Sequence, residues 1–360
     1  MPSLAASLSA RIEQQAGRLL VRLPDGVVRR IAGDPITIDD RTLEPRIQLA
    51  AAAAAKKPPI HTVDVARARV GANASLAEGN GEREPGVRVD ESTTPGGLPI
   101  RVYRAGEALT AGQHRAPAML FMHQGGFVVG DLDSCDSFCA RVAATLGVIV
   151  VSLDYRLAPE HKFPAQIEDA ASTWAWLQSS GAELGIDTSR IIVAGDSAGG
   201  HLAALLSQRL RDAGGALPLG QLLVYPFVDG LAEGGSMDSC AASYPLSRDT
   251  MSWFGEQYLS DDIDVSSALF SPAQGDLTAL PPAIVVTAGF DPLRDQGIAY
   301  AAALDDAGVA TIGRCEDVLS HSFLSMDGMI PEARAAHDRV VDDLRALLAG
   351  DMTGTIQSAG

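Results

Sequence analysis

The feature that most constrains this chain is a rhythm. From residue 87 onward, short runs rich in β-branched and other apolar residues alternate with longer helix-like stretches. The runs fall at 87–92, 99–104, 117–122, 148–153, 190–194, 221–225, 283–287 and 310–316, and the helix-like stretches at 134–146, 165–180, 198–212, 294–307 and 331–349. The middle runs, such as Val148-Ile149-Val150-Val151, are nearly all apolar rather than alternating. That is the pattern of strands buried on both faces. A β-α-β-α order of this kind calls for an α/β fold, a mostly parallel sheet with right-handed crossovers. Only Thr94-Pro95-Gly96-Gly97-Leu98 and its neighbours separate the first two runs, which predicts an antiparallel hairpin at one edge.

Outside this rhythm the chain reads differently. Residues 3–20 and 41–55 read as helices, and Gly71 to Gly86, rich in Gly, Asn and Glu, as a loop or linker. We therefore expect an N-terminal helical segment over 1–70, an α/β domain over 71–350 and a flexible polar tail over 351–360. The strand rhythm is lost again from Leu231 to Ala279, an insertion with one clear helix at 248–259. It falls above the carboxyl ends of the strands, where a lid would be useful.

The charge narrows the partners. Lys and Arg total 28 and Asp and Glu total 45, a formal net charge of −17. Long-range repulsion makes nucleic acid and anionic membrane surfaces poor partners. No apolar run approaches the length of a membrane span. The N-terminal stretch carries Arg11, Glu13, Gln14, Gln15 and Arg18 among its apolar positions, an amphipathic helix rather than a secretion signal. Four cysteines in a chain this long are no disulfide framework, and Cys135 and Cys139 read as plain buried thiols. A cytoplasmic location is expected. No His/Cys/Asp cluster has ligand spacing, so neither metal nor cofactor is called for.

One motif carries chemistry: Gly195-Asp196-Ser197-Ala198-Gly199, between the run Arg190 to Ala194 and the helical stretch from Ala198. A G-x-S-x-G in a strand–turn–helix setting is the nucleophile elbow. Its tight turn needs small residues and projects the hydroxyl to a helix N-terminus, where free N–H groups favour a developing anion. A serine needs a base. His321 lies in a loop just after the last run, whereas His337 lies in the charged amphipathic stretch 332–348 and reads as a solvated surface residue. The carboxylate comes between them. Asp291, just after the apolar run 283–287, is the best placed, and Asp295 is the runner-up, with helix capping as its plainer explanation. His123-Gln124-Gly125-Gly126-Phe127 follows another run, and its backbone N–H groups, with that of Ala198, can converge on an oxyanion. As a phosphate loop the segment lacks the G-K-[ST] ending.

Together these stretches, with Tyr155-Arg156-Leu157-Ala158-Pro159-Glu160-His161, Asp291-Pro292-Leu293-Arg294-Asp295 and His321-Ser322-Phe323, resemble the hormone-sensitive lipase-like carboxylesterases of the α/β-hydrolase superfamily, the bacterial family IV type. The resemblance implies an eight-stranded α/β-hydrolase fold with a helical cap. It implies Ser197 as nucleophile, His321 as base and Asp291 as orienting acid, with Gly125, Gly126 and Ala198 forming the oxyanion hole. It implies hydrolysis of short- to medium-chain acyl esters of small molecules without a cofactor, and a homodimer through the edge strand near 310–316. An amidase or lactamase could use the same residues, and a small-ligand receptor could use the same fold. The chain departs from the family pattern in three places. Gln124 replaces the first glycine of the usual His-Gly-Gly-Gly, with its amide free to enter the pocket or its backbone strained if φ there is positive. Ser322 replaces the glycine of His-Gly-Phe, and Gln296 replaces a glutamate. His123 is expected to hold its own loop, His161 to organise a loop with Glu160 and Arg156, and Tyr155 and Trp174 to lie in the core.

Overall fold

The computed structural model describes residues 23–106 and 115–352. The expected helix at 3–20 and nearly all of the tail lie outside the described residues. A short pair, β1 (Thr37–Ile38) and β2 (Arg41–Thr42), precedes the main sheet. The sheet itself holds β3 (Arg88–Thr93), β4 (Pro99–Arg104), β5 (Ala116–Met122), β6 (Ile149–Leu153), β7 (Ile186–Asp196), β8 (Gly220–Val224), β9 (Ala283–Phe290) and β10 (Thr311–Ser320). Their spatial order is β10-β9-β8-β7-β5-β6-β4-β3. The pairs from β6 through β10 are parallel, and β4 runs antiparallel to both β3 and β6. The expected edge hairpin and mostly parallel sheet are both present.

The order places the site. The chain leaves β5 for β6 on one side, then crosses back to β7 on the other side of β5. Right-handed crossovers in opposite directions put their helices on opposite faces. Helix Asp136–Leu146 accordingly shares one face with the closing helix Pro331–Ala349, and helices Ala165–Ser180, Ala198–Asp212 and Arg294–Asp306 share the other. The strands divide their side chains with period two: Ala118, Leu120 and Met122 enter one apolar core with Trp174, Leu177 and Leu202, while Met119 and Phe121 enter the other with Phe138, Val340 and Leu344. The carboxyl ends of β5 and β7 flank the reversal point, where an open α/β sheet leaves a crevice.

Two expectations need correction. Residues 71–86 are not all loop, because a helix runs over Val65–Gly79. Asp64 caps it by accepting from the Arg67 N–H at 2.9 Å, and five alanines offset Gly71. Tertiary anchors fix it further: Arg69 donates to the Val128 and Ala158 carbonyls and pairs with Glu160, and Asn73 bonds the Gly130 N–H and Asp131. His337 is not solvated. It is fully buried beside Ala333, Val340 and Leu344 on the helix stripe that faces the sheet, its Nε2 bonded to the Leu324 carbonyl at 3.0 Å.

Candidate active site

Four described residues other than glycine hold positive φ at the carboxyl ends of the strands: Phe127, Ser197, Tyr225 and Ser322. Backbone strain of this kind persists only where the surroundings over-determine it, and it concentrates at functional sites.

Ser197 stands at φ 55°, ψ −115° between β7 and helix Ala198–Asp212, as the residue before the first helical turn. The turn is possible because its flanking positions lack a Cβ. One at Gly195 would lie 2.3 Å from the Gly199 carbonyl group, and one at Gly199 would lie 1.9 Å from the Met122 carbonyl oxygen. The Ser197 N–H donates to the Val224 carbonyl at 2.8 Å, tying the elbow to β8.

The hydroxyl is in line with two more side chains. Ser197 Oγ is 2.8 Å from His321 Nε2, and His321 Nδ1 is 2.6 Å from Asp291 Oδ2. Asp291 follows β9 and is fully buried, with its other oxygen accepting from the Leu293 N–H at 2.9 Å. His321 follows β10 and its ring stacks at a tilt on Tyr225, 4.7 Å between centroids. A buried carboxylate on Nδ1 fixes the proton there, so that Nε2 presents its lone pair to the serine O–H.

The glycine loop after β5 completes the constellation. Gly125 has φ 125° and Gly126 φ 57°, whereas Gln124 is not in the positive-φ region, so glutamine there is unstrained. Among the described residues, the N–H groups of Gly125, Gly126 and Ala198 donate to no protein acceptor, which leaves them for a ligand oxygen. His123 holds the loop as expected: its Nδ1 is 2.7 Å from the Gln124 carbonyl, and its ring stacks on Tyr155, whose hydroxyl donates to the His123 carbonyl. Tyr155 and Trp174 are buried, as are Cys135 and Cys139.

Other candidates go elsewhere. Asp295 accepts from Arg294 and from the Ser236 N–H, away from the imidazole. Gln296 accepts from the Val228 and Asp229 N–H groups and touches neither Ser197, His321 nor Asp291. Around His161 the ion pairs are made with other residues, Glu160 with Arg69 and Arg156 with Asp169, while Gln166 Nε2 donates to the carbonyls of both Arg156 and His161. The Gln124 amide does not enter the pocket but bonds Ser322 and Ser325. His201 also follows Ser197 in the chain, in the first turn of helix Ala198–Asp212, where no sequence pattern sets it apart. Its Nδ1 faces the Phe227 carbonyl at 3.1 Å among Phe127, Phe227 and Phe270, and burial lowers its pKa to about 4. Sequence gave no sign of Phe254 either. This half-buried residue of helix Arg248–Tyr258 lies so close over Gly126 that a Cβ there would meet its ring at 2.3 Å.

Beneath the elbow, Asp196 is fully buried, accepting from the Tyr225 hydroxyl at 2.8 Å and the Cys135 thiol at 3.4 Å. Burial outweighs these bonds and pushes its pKa up to about 6. Among the described residues, no group of three or more His, Cys, Asp and Glu could hold a metal ion, and no helix is long and apolar enough to cross a membrane.

The chain is similar to known proteins over most of its length. Residues 119–325 match the family described as alpha/beta hydrolase fold. The chain is 37% identical to an ethyl acetate hydrolase of Pseudomonas putida over 301 residues, covering 81% of this chain and 93% of that protein. It is 36% identical to the carboxylic ester hydrolase LipN of Mycobacterium tuberculosis, covering 88% and 86% respectively. A solved esterase from Pyrobaculum calidifontis superimposes with a TM-score of 0.74 at 35% identity, covering 85% of this chain and 99% of that one. The chain belongs to the α/β-hydrolase fold family and, within it, to the hormone-sensitive lipase-like carboxylesterases.

Proposed function

We propose that this carboxylesterase works through an acyl-enzyme on Ser197. His321 removes the hydroxyl proton as Ser197 attacks the ester carbonyl. Asp291 holds the imidazole and stabilises the imidazolium as it forms. The N–H groups of Gly125, Gly126 and Ala198 receive the oxyanion. His321 then gives its proton to the departing alcohol, and a water activated by the same nitrogen releases the acid. The single observation that carries this reading is the hydrogen-bonded line from Ser197 Oγ through His321 to Asp291.

The substrate we infer is a small ester with a short or medium acyl chain. Phe254 over Gly126 supports a shallow acyl space, and so does the likeness to an ethyl acetate hydrolase. Residues 1–70 and 231–279 are read as the cap over the site, with helix Arg248–Tyr258 as its inner surface. The described part of the first segment meets the second where His61 bonds Thr250 at 3.3 Å. The four unpaired cysteines, three of them buried, support a reducing, cytoplasmic location. β10 is one of the two edge strands of the sheet, which supports a homodimer across that edge; a monomer by light scattering would overturn it.

Labelling with a fluorophosphonate tests the nucleophile. One adduct, on the peptide containing Ser197, is expected by mass spectrometry. An adduct elsewhere, or undiminished labelling of Ser197→Ala, contradicts the assignment.

A further inference from the structure

The two positions at which this chain departs from the family's usual glycines, Gln124 and Ser322, touch each other. Ser322 Oγ donates to Gln124 Oε1, and Gln124 Nε2 donates to Ser325 Oγ at 2.7 Å. Ser325 Oγ donates in turn to the Ser134 carbonyl. The hydrogen bonds run in one direction through four residues, and the Gln124 side chain, 2% exposed, sits in the middle. The two serines it bonds lie in the turn that directly follows His321, and its Nε2 also faces the Cys135 thiol at 3.9 Å. Its backbone carbonyl is held separately by His123. The amide is thus a strut between the loop that carries Gly125 and Gly126 and the loop that carries His321. A glycine at both positions would remove it. A fully satisfied buried chain of this kind is stiff, because each member's orientation is fixed by the next.

We propose that Gln124 is a positioning residue for ester hydrolysis: through Ser322 and Ser325 it sets the Gly125 and Gly126 N–H groups in register with His321. The proposal rests on the reading of Ser197, His321 and the glycine loop given above. The donors must stand close to where the oxyanion forms, and displacement of a reacting group by about 1 Å can cost about a hundredfold in rate. The donors engage the tetrahedral oxyanion more strongly than the planar carbonyl, so losing register lowers kcat more than it changes KM.

The test uses Gln124→Met, which keeps length and volume while removing the amide's bonds to Ser322 and Ser325, together with Gln124→Ala, Ser322→Ala and the Gln124→Met/Ser322→Ala double variant. Active sites are counted by titration with diethyl p-nitrophenyl phosphate. We then measure kcat per titrated site and KM for p-nitrophenyl butyrate, and Ki for phenylboronic acid, whose tetrahedral adduct puts an oxygen in the place of the oxyanion. In Gln124→Met, kcat per site is expected to fall about tenfold to a hundredfold, with KM within about twofold. Ki should rise by the same factor, and the double variant should be no slower than Gln124→Met. A merely structural role would lower the melting temperature and the titratable fraction while leaving kcat per site and Ki unchanged. That result overturns the proposal, as does multiplication of the two single effects in the double variant. Failure of the parent reading is recognised separately: a wild type without esterase activity, or a fully active Ser197→Ala, removes that reading and this proposal with it.

Discussion

Gly199 and Met122 are in such close contact that a Cβ on the glycine would lie 1.9 Å from the Met122 carbonyl oxygen. Met122 is the last residue of β5, from which the glycine loop departs, and Gly199 is the second residue of the helix behind Ser197. The contact therefore sets the distance between the two loops that meet at the reaction centre. Gly199→Ala is expected to cost at least about 3 kcal/mol, because the obstacle is backbone on a central strand and cannot swing aside. Chemical denaturation measures this; a variant of wild-type stability would contradict the contact.

The bond between His321 Nδ1 and Asp291 Oδ2 makes its own prediction. Asp291→Asn leaves the shape nearly intact but presents an amide N–H to the imidazole, favouring the wrong tautomer. A loss in kcat of about ten-thousandfold is expected. Steady-state kinetics decide it, and a loss below about tenfold would mean that Asp291 does not orient the base.

Asp196 gives a pH prediction. Its carboxyl titrates near 6 in the folded protein, above its ordinary value of 3.8, because burial disfavours the charge. The folded state therefore binds the proton more tightly than the unfolded chain does. The stability this contributes is complete below about pH 4 and is lost as pH rises through about 6. Asp196→Asn, which keeps an acceptor for Tyr225 and Cys135, should therefore gain stability over wild type as pH rises from 4 to 7. Denaturation at a series of pH values checks this. A difference independent of pH would contradict it.

Phe254 over Gly126 predicts a change of selectivity. Phe254→Ala should raise kcat/KM for a long-chain ester about tenfold relative to the acetate ester, each added methylene finding new apolar contact. An unchanged chain-length profile would place the acyl group elsewhere.

How much of this was legible in the sequence follows from the range over which each pattern acts. Strand and helix rhythms are local, and the helices at 165–180, 198–212 and 331–349 match the structure end to end. The positions of Ser197, Asp291 and His321 could be placed because each directly follows a strand, and parallel strands deliver all such loops to one end of the sheet. Helix Val65–Gly79 was not legible, since its composition suggests a loop and its anchors at Val128, Ala158 and Gly130 are over fifty residues away in sequence. His337 was misread because the charged residues around it mask the stripe it shares with Ala333 and Val340. The bonds of Gln124 to Ser322 and Ser325 join residues about two hundred apart, and no periodicity records them.

The most direct test of the central claim is hydrolysis of p-nitrophenyl esters of increasing acyl length by wild type and Ser197→Ala in parallel. The account predicts that wild type favours short chains, with activity falling as the acyl group outgrows the space beneath Phe254, and that Ser197→Ala loses nearly all activity. Full activity in Ser197→Ala, or no hydrolysis of any ester by the wild type, would contradict it.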